Sequence, residues 1–368
     1  LQGTCIITCS YEARAHGIKT GMRLKQALQL CPGLIRCPAH PERYAAISTA
    51  IMCALQDITP DIEIFSVDEA FLDVTRCQRL LGTPADIAHL AKRKVFDASG
   101  ILCSVGISGD KTTAKFAAKL QKPDGLTVIP PWEATQRLHD VPVTDLCGIS
   151  NGIGRFLAEH GVVKCGDMRR LPISVLAQRF GNPGRRIWYM CQGRDPAALQ
   201  QDVPPPKSIG HGKVLPPGTR DPELLRTWLL HMSEKVGARL RRHDLQASTF
   251  FIGLRTRHGW AGGKLHCALP TNDGGIIMAL CRQVISDMWS GQGVHQVQVT
   301  ALNPASSGYQ PDLFHAPKEA QHEINNVMDA VNQRYGELTL APARLLNRSS
   351  MPNVIAPAWK PFGHRQTL

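Results

Sequence analysis

The sequence predicts an α+β protein of several domains, and two successions of elements and one break carry that expectation. Over residues 62–120 the order reads apolar strand, acidic turn, strand, helix, strand, helix, which suits helices packed on one face of a mostly antiparallel sheet. Beyond Pro204-Pro205-Pro206 the order becomes β-α-β-β-α-β. Consecutive prolines are stiff and extended, so they keep the two bodies from collapsing together.

Composition bounds the function. The 368 residues are 43% hydrophobic, enough for several cores, and no apolar run approaches membrane-spanning length. A formal charge of +12 and a pI near 9.3 favour a polyanionic partner such as nucleic acid. No basic-then-apolar leader opens the chain, so a cytoplasmic protein is expected, nucleoid-associated when on DNA. The twelve cysteines lie singly, and even Cys5 and Cys9 lack zinc-type spacing. They are read as reduced, small core residues.

In chain order, Cys5 to Thr8 reads as a strand that leads through Tyr11-Glu12-Ala13-Arg14 to a helix over 24–30. Two hydroxyls and a guanidinium in Thr8, Tyr11 and Arg14 could cradle phosphate at such a junction. The plainer reading is a packing ring and a surface charge. A helix over 44–55 precedes Phe65-Ser66-Val67-Asp68-Glu69-Ala70-Phe71-Leu72, an apolar run broken by two adjacent acids. At a bend between strands both carboxylates can converge on a cation; otherwise the pair is a solvated turn. Helices are expected over 84–99 and 111–120, with a buried strand over 101–108 between them. Lys111, Lys115 and Lys119 form one stripe of the second helix, a pattern ordinarily found on a solvated face. Pro123 stops that helix and leaves Lys122 at its mouth.

Thr8, Tyr11 to Arg14, Ser66-Val67-Asp68-Glu69-Ala70, Gly106-Ile107-Ser108 with Lys111 and Lys115, and Lys122-Pro123-Asp124-Gly125 occur in the order and spacing of the Y-family translesion DNA polymerases, nearest to their bacterial DNA polymerase IV group. The resemblance implies small fingers over 1–40, a ferredoxin-like palm over 41–129, a helical thumb over 130–197, a linker over 198–206, a little finger over 207–303 and a tail over 304–368. It implies template-directed, low-processivity translesion synthesis by two-metal nucleotidyl transfer, with two Mg²⁺ ions roughly 3.5 to 4 Å apart. Asp68 and Glu69 would supply metal-binding, catalytic carboxylates. Thr8, Tyr11, Arg14 and Lys122 would grip the nucleotide's phosphates, and Asp73 would serve strand-end hydrogen bonding. The partners implied are primer–template DNA and deoxynucleoside triphosphates, bound by a monomer.

The chain also departs from the family. The further metal-binding aspartate of a first palm strand, and the bulky aromatic that excludes the ribose 2′-hydroxyl, are not in it. A start at Leu1, inside a strand-like run, leads us to expect a fragment whose own catalysis is impaired. Asp110 stands where asparagine is more usual. A non-catalytic accessory protein on the same fold is the alternative, and a generic basic DNA-binding protein would leave the acidic hairpin unexplained.

Residues 146–161 resemble a helix-hairpin-helix, in which Gly148 and Gly152 would let backbone N–H groups approach a phosphate; Ser150 replaces a usual glycine, and a plain helix–helix turn fits too. Between Lys207 and Trp260 ten Lys or Arg stand against four Asp or Glu. Lys207, Ser208, Lys213, Arg255 and Arg257 are the expected phosphate contacts, gripping any sequence. In the tail, Gln310-Pro311-Asp312-Leu313-Phe314 looks like a bacterial sliding-clamp peptide, with Gln310 at a pocket rim and Leu313 and Phe314 as anchors. An ordinary loop folded back by its Leu-Phe is the alternative. One further helix is expected over 319–335.

Overall fold

A computed structural model of the chain describes residues 5–202, 205–307 and 319–347. The stretch up to Pro38 groups with the segment beyond the triple proline, and residues from Ala39 to Asp202 form a second unit. Clamp-peptide residues Gln310, Leu313 and Phe314 lie outside the described residues.

The chain opens on α1 (Tyr11–Ala15), capped by the Ser10 hydroxyl, which accepts from the Ala13 N–H at 3.3 Å, and α2 (Leu24–Leu30). The strand expected over Cys5 to Thr8 does not form. Among the described residues the pairing is confined to a bridge from Cys5 to Arg23 and to Ile6, whose N–H donates to the Met22 carbonyl at 2.9 Å and whose carbonyl accepts from the Gly21 N–H at 2.8 Å, while Ile7 is exposed.

The second unit begins with α3 (Pro41–Gln56), followed by the antiparallel hairpin β1 (Ile62–Ile64) and β2 (Ala70–Leu72), in which Glu63 pairs with Phe71. After α4 (Gln78–Leu81) comes α5 (Pro84–Ser99), opened by a reciprocal Thr83–Asp86 capping box and closed by left-handed Gly100. Met52, Leu55, Ile62, Ile87 and Val95 join α3, α5 and the hairpin in one core. Then follow β3 (Val105–Ile107), α6 (Lys111–Leu120) and β4 (Leu126–Val128). β4 runs parallel to β3, as a strand returning after a crossover helix does. The expected single, mostly antiparallel sheet is therefore corrected. Among the described residues this region holds one antiparallel and one parallel strand pair.

Gly106 lets α6 lie directly on β3. A Cβ there would fall 2.1 Å from the Ala114 carbonyl oxygen and 2.3 Å from the Ala118 nitrogen. α6 continues its apolar face, through Phe116 and Ala117, into the core of a helical region. That region comprises α7 (Pro131–Leu138), α8 (Asn151–Glu159), α9 (Ile173–Phe180) and α10 (Asn182–Met190), packed around Leu138, Leu146, Leu157, Met168 and Leu176.

Beyond the prolines, β5 (Ser208–Thr219), α11 (Pro222–Arg242), β6 (Leu245–Thr256), β7 (Gly259–Thr271), α12 (Gly274–Asp287) and β8 (Val294–Leu302) give the expected β-α-β-β-α-β order. The strands pair antiparallel in the order β5-β8-β6-β7. Alternation along β6 and β8 sends Phe250, Ile252, Leu254, Val297 and Val299 toward Trp228, Leu229, Met232 and Ile277 of the two helices. The other face of the sheet carries Gln296, Gln298, Thr300, Phe251, Arg255 and Lys264. A short β9 (Ala305–Ser306) pairs with β6.

The helix expected over 319–335 is α13 (Glu319–Tyr335). Its attachment is polar: Asp329 accepts from Arg241 Nε and Nη2 at 2.6 and 2.8 Å, and Asn325 donates to Asp273 at 2.8 Å. Glu337 follows, 2.8 Å from Lys235, and buried Leu345 completes the contact. All twelve cysteines are free. The expectation that they are core residues holds for Cys165, Cys191 and Cys281, whereas Cys5, Cys37 and Cys53 are exposed.

Phe250 is fully buried at the centre of the sheet. Phe250→Ala should cost about 3–5 kcal/mol, read as a lowered urea midpoint. A loss below about 1 kcal/mol would mean the sheet and helices are not packed as described. Acid should weaken the same unit. Burial, with Lys235 and Arg239 nearby, lowers the His211 pKa from 6.5 to about 3, so folding favours its neutral form. Below pH 6.5 the unfolded chain takes up the proton and the folded chain does not, so this contribution is lost as pH falls toward 3. Burial raises the Glu337 pKa, but Lys235 at 2.8 Å, with the His231 ring close by, outweighs it and brings it from 4.5 to about 2, so its contribution is lost below pH 4.5. The melting temperature should drop between pH 7 and 4, by roughly 2–4 °C for each kcal/mol lost. His211→Asn should flatten the upper part of that profile; an unchanged slope would remove His211 as its cause.

Candidate active site

The hairpin loop from Phe65 to Glu69 is closed by one carbonyl. The N–H groups of Phe65 and Ser66 donate to the Glu69 oxygen at 2.9 and 3.0 Å, and the Ser48 hydroxyl of α3 donates to the Val67 carbonyl. Asp68 and Glu69 thus stand at the apex, Asp68 exposed and Glu69 half-buried. Ser66 lies between them. Its hydroxyl donates to Asp68 Oδ1 at 2.7 Å and reaches Glu69 Oε2 only at 3.4 Å. One hydroxyl hydrogen serves one good bond, so Glu69 Oε2 is weakly engaged.

α6 supplies the cations. Lys115 Nζ pairs with Glu69 Oε1 and lies 4.5 Å from the Phe65 ring centroid. One turn earlier, Lys111 Nζ pairs with Glu63 Oε2 at 2.6 Å and reaches the Ala198 carbonyl at 2.8 Å. Glu63, on β1, also accepts from the Gln200 N–H at 2.8 Å. The expectation of a solvated lysine stripe is therefore corrected. Lys111 and Lys115 have only 16% and 13% of their side-chain surface exposed, because each meets a carboxylate of the hairpin beneath the helix. Lys119 reaches the Asp145 carbonyl at 3.3 Å. Asp110 caps α6 by accepting from the Thr113 N–H and hydroxyl at 2.9 and 2.7 Å, a role asparagine could also fill, while burial raises its pKa.

The residues after α10 are strapped to this region. Asp195, its side chain fully buried, takes both donors of Arg186 at 2.8 and 2.7 Å and the Thr112 hydroxyl at 2.6 Å. Burial raises the Asp195 pKa, but these hydrogen bonds outweigh it and leave it lowered. Gln201 then donates to Asp61 at 2.7 Å. Asp73 accepts from the Thr75 N–H at 2.9 Å and has a lowered pKa because of its hydrogen bonds from Thr75, in keeping with a strand-end role.

Other sequence-predicted residues fall as follows. Lys122 is exposed just past the end of α6. Thr8 is exposed, and Tyr11 and Arg14 meet on α1 with the guanidinium 5.4 Å from the ring centroid. Those three belong to the unit that contains the antiparallel sheet, while Asp68, Glu69 and Lys122 belong to the other. Ser150 is the residue before α8, Gly148 has φ +92°, and Gly152 faces open space. The preceding element is a 3₁₀ turn over Val143–Asp145, so the hairpin joins a turn to a helix.

Lys207, Ser208, Arg255 and Arg257 are exposed. Lys213 differs. It shares the helix-facing side of β5 with Ile209, His211 and Leu215, and its ammonium lies 5.1 Å from the buried Trp228 ring. Arg255 instead leans over Trp260, 5.5 Å from its centroid, on the open sheet face. The Trp260 ring rests on Gly253, where a Cβ would approach its Cε3 to 2.7 Å. Trp260, Phe251 and Lys264 belong to no motif in the sequence, although the two-residue alternation of β6 and β7 assigns them to that face.

The oxygen donors of Asp68 and Glu69 suit a hard divalent cation. Among the described residues no group of three or more metal-ligating side chains gathers. Asp68 and Glu69, both within reach of the Ser66 hydroxyl, offer two carboxylates of the oxygen-donor kind such a cation takes, which is part of a full ligand set.

Comparison with known proteins places this geometry in context. Residues 1–119 match the impB/mucB/samB family, and residues 206–313 match the C-terminal domain of that family. DNA polymerase IV of Moorella thermoacetica is 35% identical over 90% of this chain and 84% of its own length. DNA polymerase IV of Desulfatibacillum aliphaticivorans is 30% identical over 96% of this chain and 93% of its own. Among solved structures, a Y-family DNA polymerase chimera of Dbh and Dpo4 superposes with a TM-score of 0.70 at 24% identity, covering 83% of this chain and 89% of that one, which establishes the fold. The hairpin with its paired acids and the β-α-β-β-α-β unit are thus parts of one family's architecture, and the chain belongs to the impB/mucB/samB family of Y-family, DNA polymerase IV-like proteins.

Proposed function

We propose that the protein is a template-directed, metal-dependent DNA polymerase that performs low-processivity translesion synthesis. The observation that carries this reading is the acidic pair Asp68–Glu69 at the apex of a hairpin held by α6, in a chain that matches DNA polymerase IV proteins over nine-tenths of its length. In nucleotidyl transfer the primer 3′-hydroxyl gives up its proton to solvent water and its oxygen forms a bond to the α-phosphorus of the incoming nucleotide. The bond from that phosphorus to the bridging oxygen breaks, and pyrophosphate leaves. Divalent cations held by Asp68 and Glu69, Mg²⁺ in our reading, would supply the positive charge that offsets what gathers on the phosphates.

This chain's own residues have distinct tasks. Asp68 and Glu69 offer carboxylate oxygens to the cations. Tyr11, Thr8, Arg14 and Lys122 donate to the β- and γ-phosphates, since hydroxyls and cationic nitrogens complement phosphate oxygens. Duplex is held through phosphates by the α8 amino end with Gly148, Ser150 and Gly152, and by Lys207, Ser208, Arg255 and Arg257. Lys213 contributes to the field from beneath the sheet. Gln310, Leu313 and Phe314 tether the protein to a sliding clamp, raising its effective concentration at the primer end. The protein acts as a monomer in the cytoplasm.

Asp68→Ala in the full-length protein should abolish primer extension while duplex affinity stays within about twofold, because phosphate contacts dominate binding. Undiminished extension would sink the assignment. Replacing Leu313 and Phe314 by alanine should remove stimulation by the clamp and leave clamp-free extension intact; a fall in clamp-free extension would mark them as structural residues.

A further inference from the structure

Among the described residues Glu69 is gripped from one side. Its Oε1 is taken by Lys115, and its Oε2 has the distant Ser66 hydroxyl at 3.4 Å. Lys115 is itself closely confined: its ammonium lies over Phe65, whose ring meets Phe71 edge-on at 5.4 Å, and its side chain is 13% exposed. A largely buried ammonium with a carboxylate partner holds that partner in place far better than an exposed pair does. Lys111, one turn away and fixed to Glu63 and Ala198, sets the height of α6 over the hairpin.

We propose that Lys115 is a positioning residue for the metal site. It fixes the rotamer of Glu69 so that Oε2 faces the cation as a single-oxygen ligand, and it keeps Oε1 from closing on the same ion. The proposal rests on the reading of Asp68 and Glu69 as cation ligands. Charge alone and positioning make opposite predictions. A lysine beside the site repels a cation, so its removal would tighten metal binding if electrostatics ruled. If Lys115 orients the ligand, its removal loosens binding, as loss of a group that orients a metal ligand does.

The test uses Lys115→Met, which keeps the stem against Phe65, and Lys115→Arg, which restores the charge and donors. Mn²⁺ binding to the protein on primer–template with a non-hydrolysable nucleotide is followed by electron paramagnetic resonance, alongside the Mg²⁺ dependence of extension. Lys115→Met should raise the half-saturating Mn²⁺ concentration about tenfold or more and shift the Mg²⁺ midpoint the same way, and Lys115→Arg should recover most of the loss. An unchanged or lowered Mn²⁺ midpoint in Lys115→Met would overturn the proposal. Should Lys115→Met fail to fold, Lys115→Gln takes its place: without an ammonium to hold Oε1 the Mn²⁺ midpoint should rise as for Lys115→Met, and an unchanged or lowered midpoint overturns the proposal. Asp68→Ala separates the two readings. If it leaves Mn²⁺ binding untouched, the cation site itself is misassigned; if it weakens binding while Lys115→Met does not, only the positioning role fails.

Discussion

Everything around the acidic hairpin depends on carboxylates being held beside a helix that supplies their counter-charge. Strands β1 and β2 are three residues each, so their ladder is too short to fix an apex by itself. Glu63 is 6% exposed, and a carboxylate so placed is tolerable only when paired and hydrogen-bonded. Lys111 and the Gln200 N–H satisfy it, and Ala198 shares the same lysine. Stripping one partner from such a buried pair costs about 3–5 kcal/mol. The hairpin, α6 and the strap after α10 therefore stand or fall as one arrangement.

The antiparallel sheet divides its labour between its faces. One carries the apolar core against α11 and α12, and the other exposes glutamines, a threonine and the Arg255–Trp260 stack. Gly253 makes that stack possible by leaving room for the indole. On the helix side, α13 is fastened by the Arg241–Asp329 fork and the Asn325–Asp273 bond. Ile324, Val327 and Tyr335 of that helix stay exposed, so its polar side makes the attachment.

Much of this was legible in the sequence. Periodicity and caps located α2, α5, α6 and α13 to the residue, since Pro84, Gly100 and Pro123 punctuate the pattern. The acids at the hairpin apex were legible because an apolar run with Asp-Glu in its middle must bend. The direction of a helical face was not. Lys111 and Lys115 read as solvated because helical periodicity describes one helix and says nothing about carboxylates that approach from β1 and its turn. The same gap hid the inward side of Lys213, where a strand's alternation, rather than its charge, decided the face. The Cys5 run fell short for another reason: among the described residues its pairing with residues 21–23 stops at Ile6, and Ile7 and Thr8 are exposed.

The spacing of Lys111 and Lys115 has a consequence for how this site can vary. A helix turns through 100° per residue, so both ammonium groups are delivered by one rotation of α6. Substitution can alter either lysine alone. A single inserted or deleted residue between Asp110 and Lys111 would swing both away from the hairpin together and misplace the Gly106 crossing as well. The length of the short turn joining β3 to α6 is thus as much a determinant of the chemistry as the acids themselves.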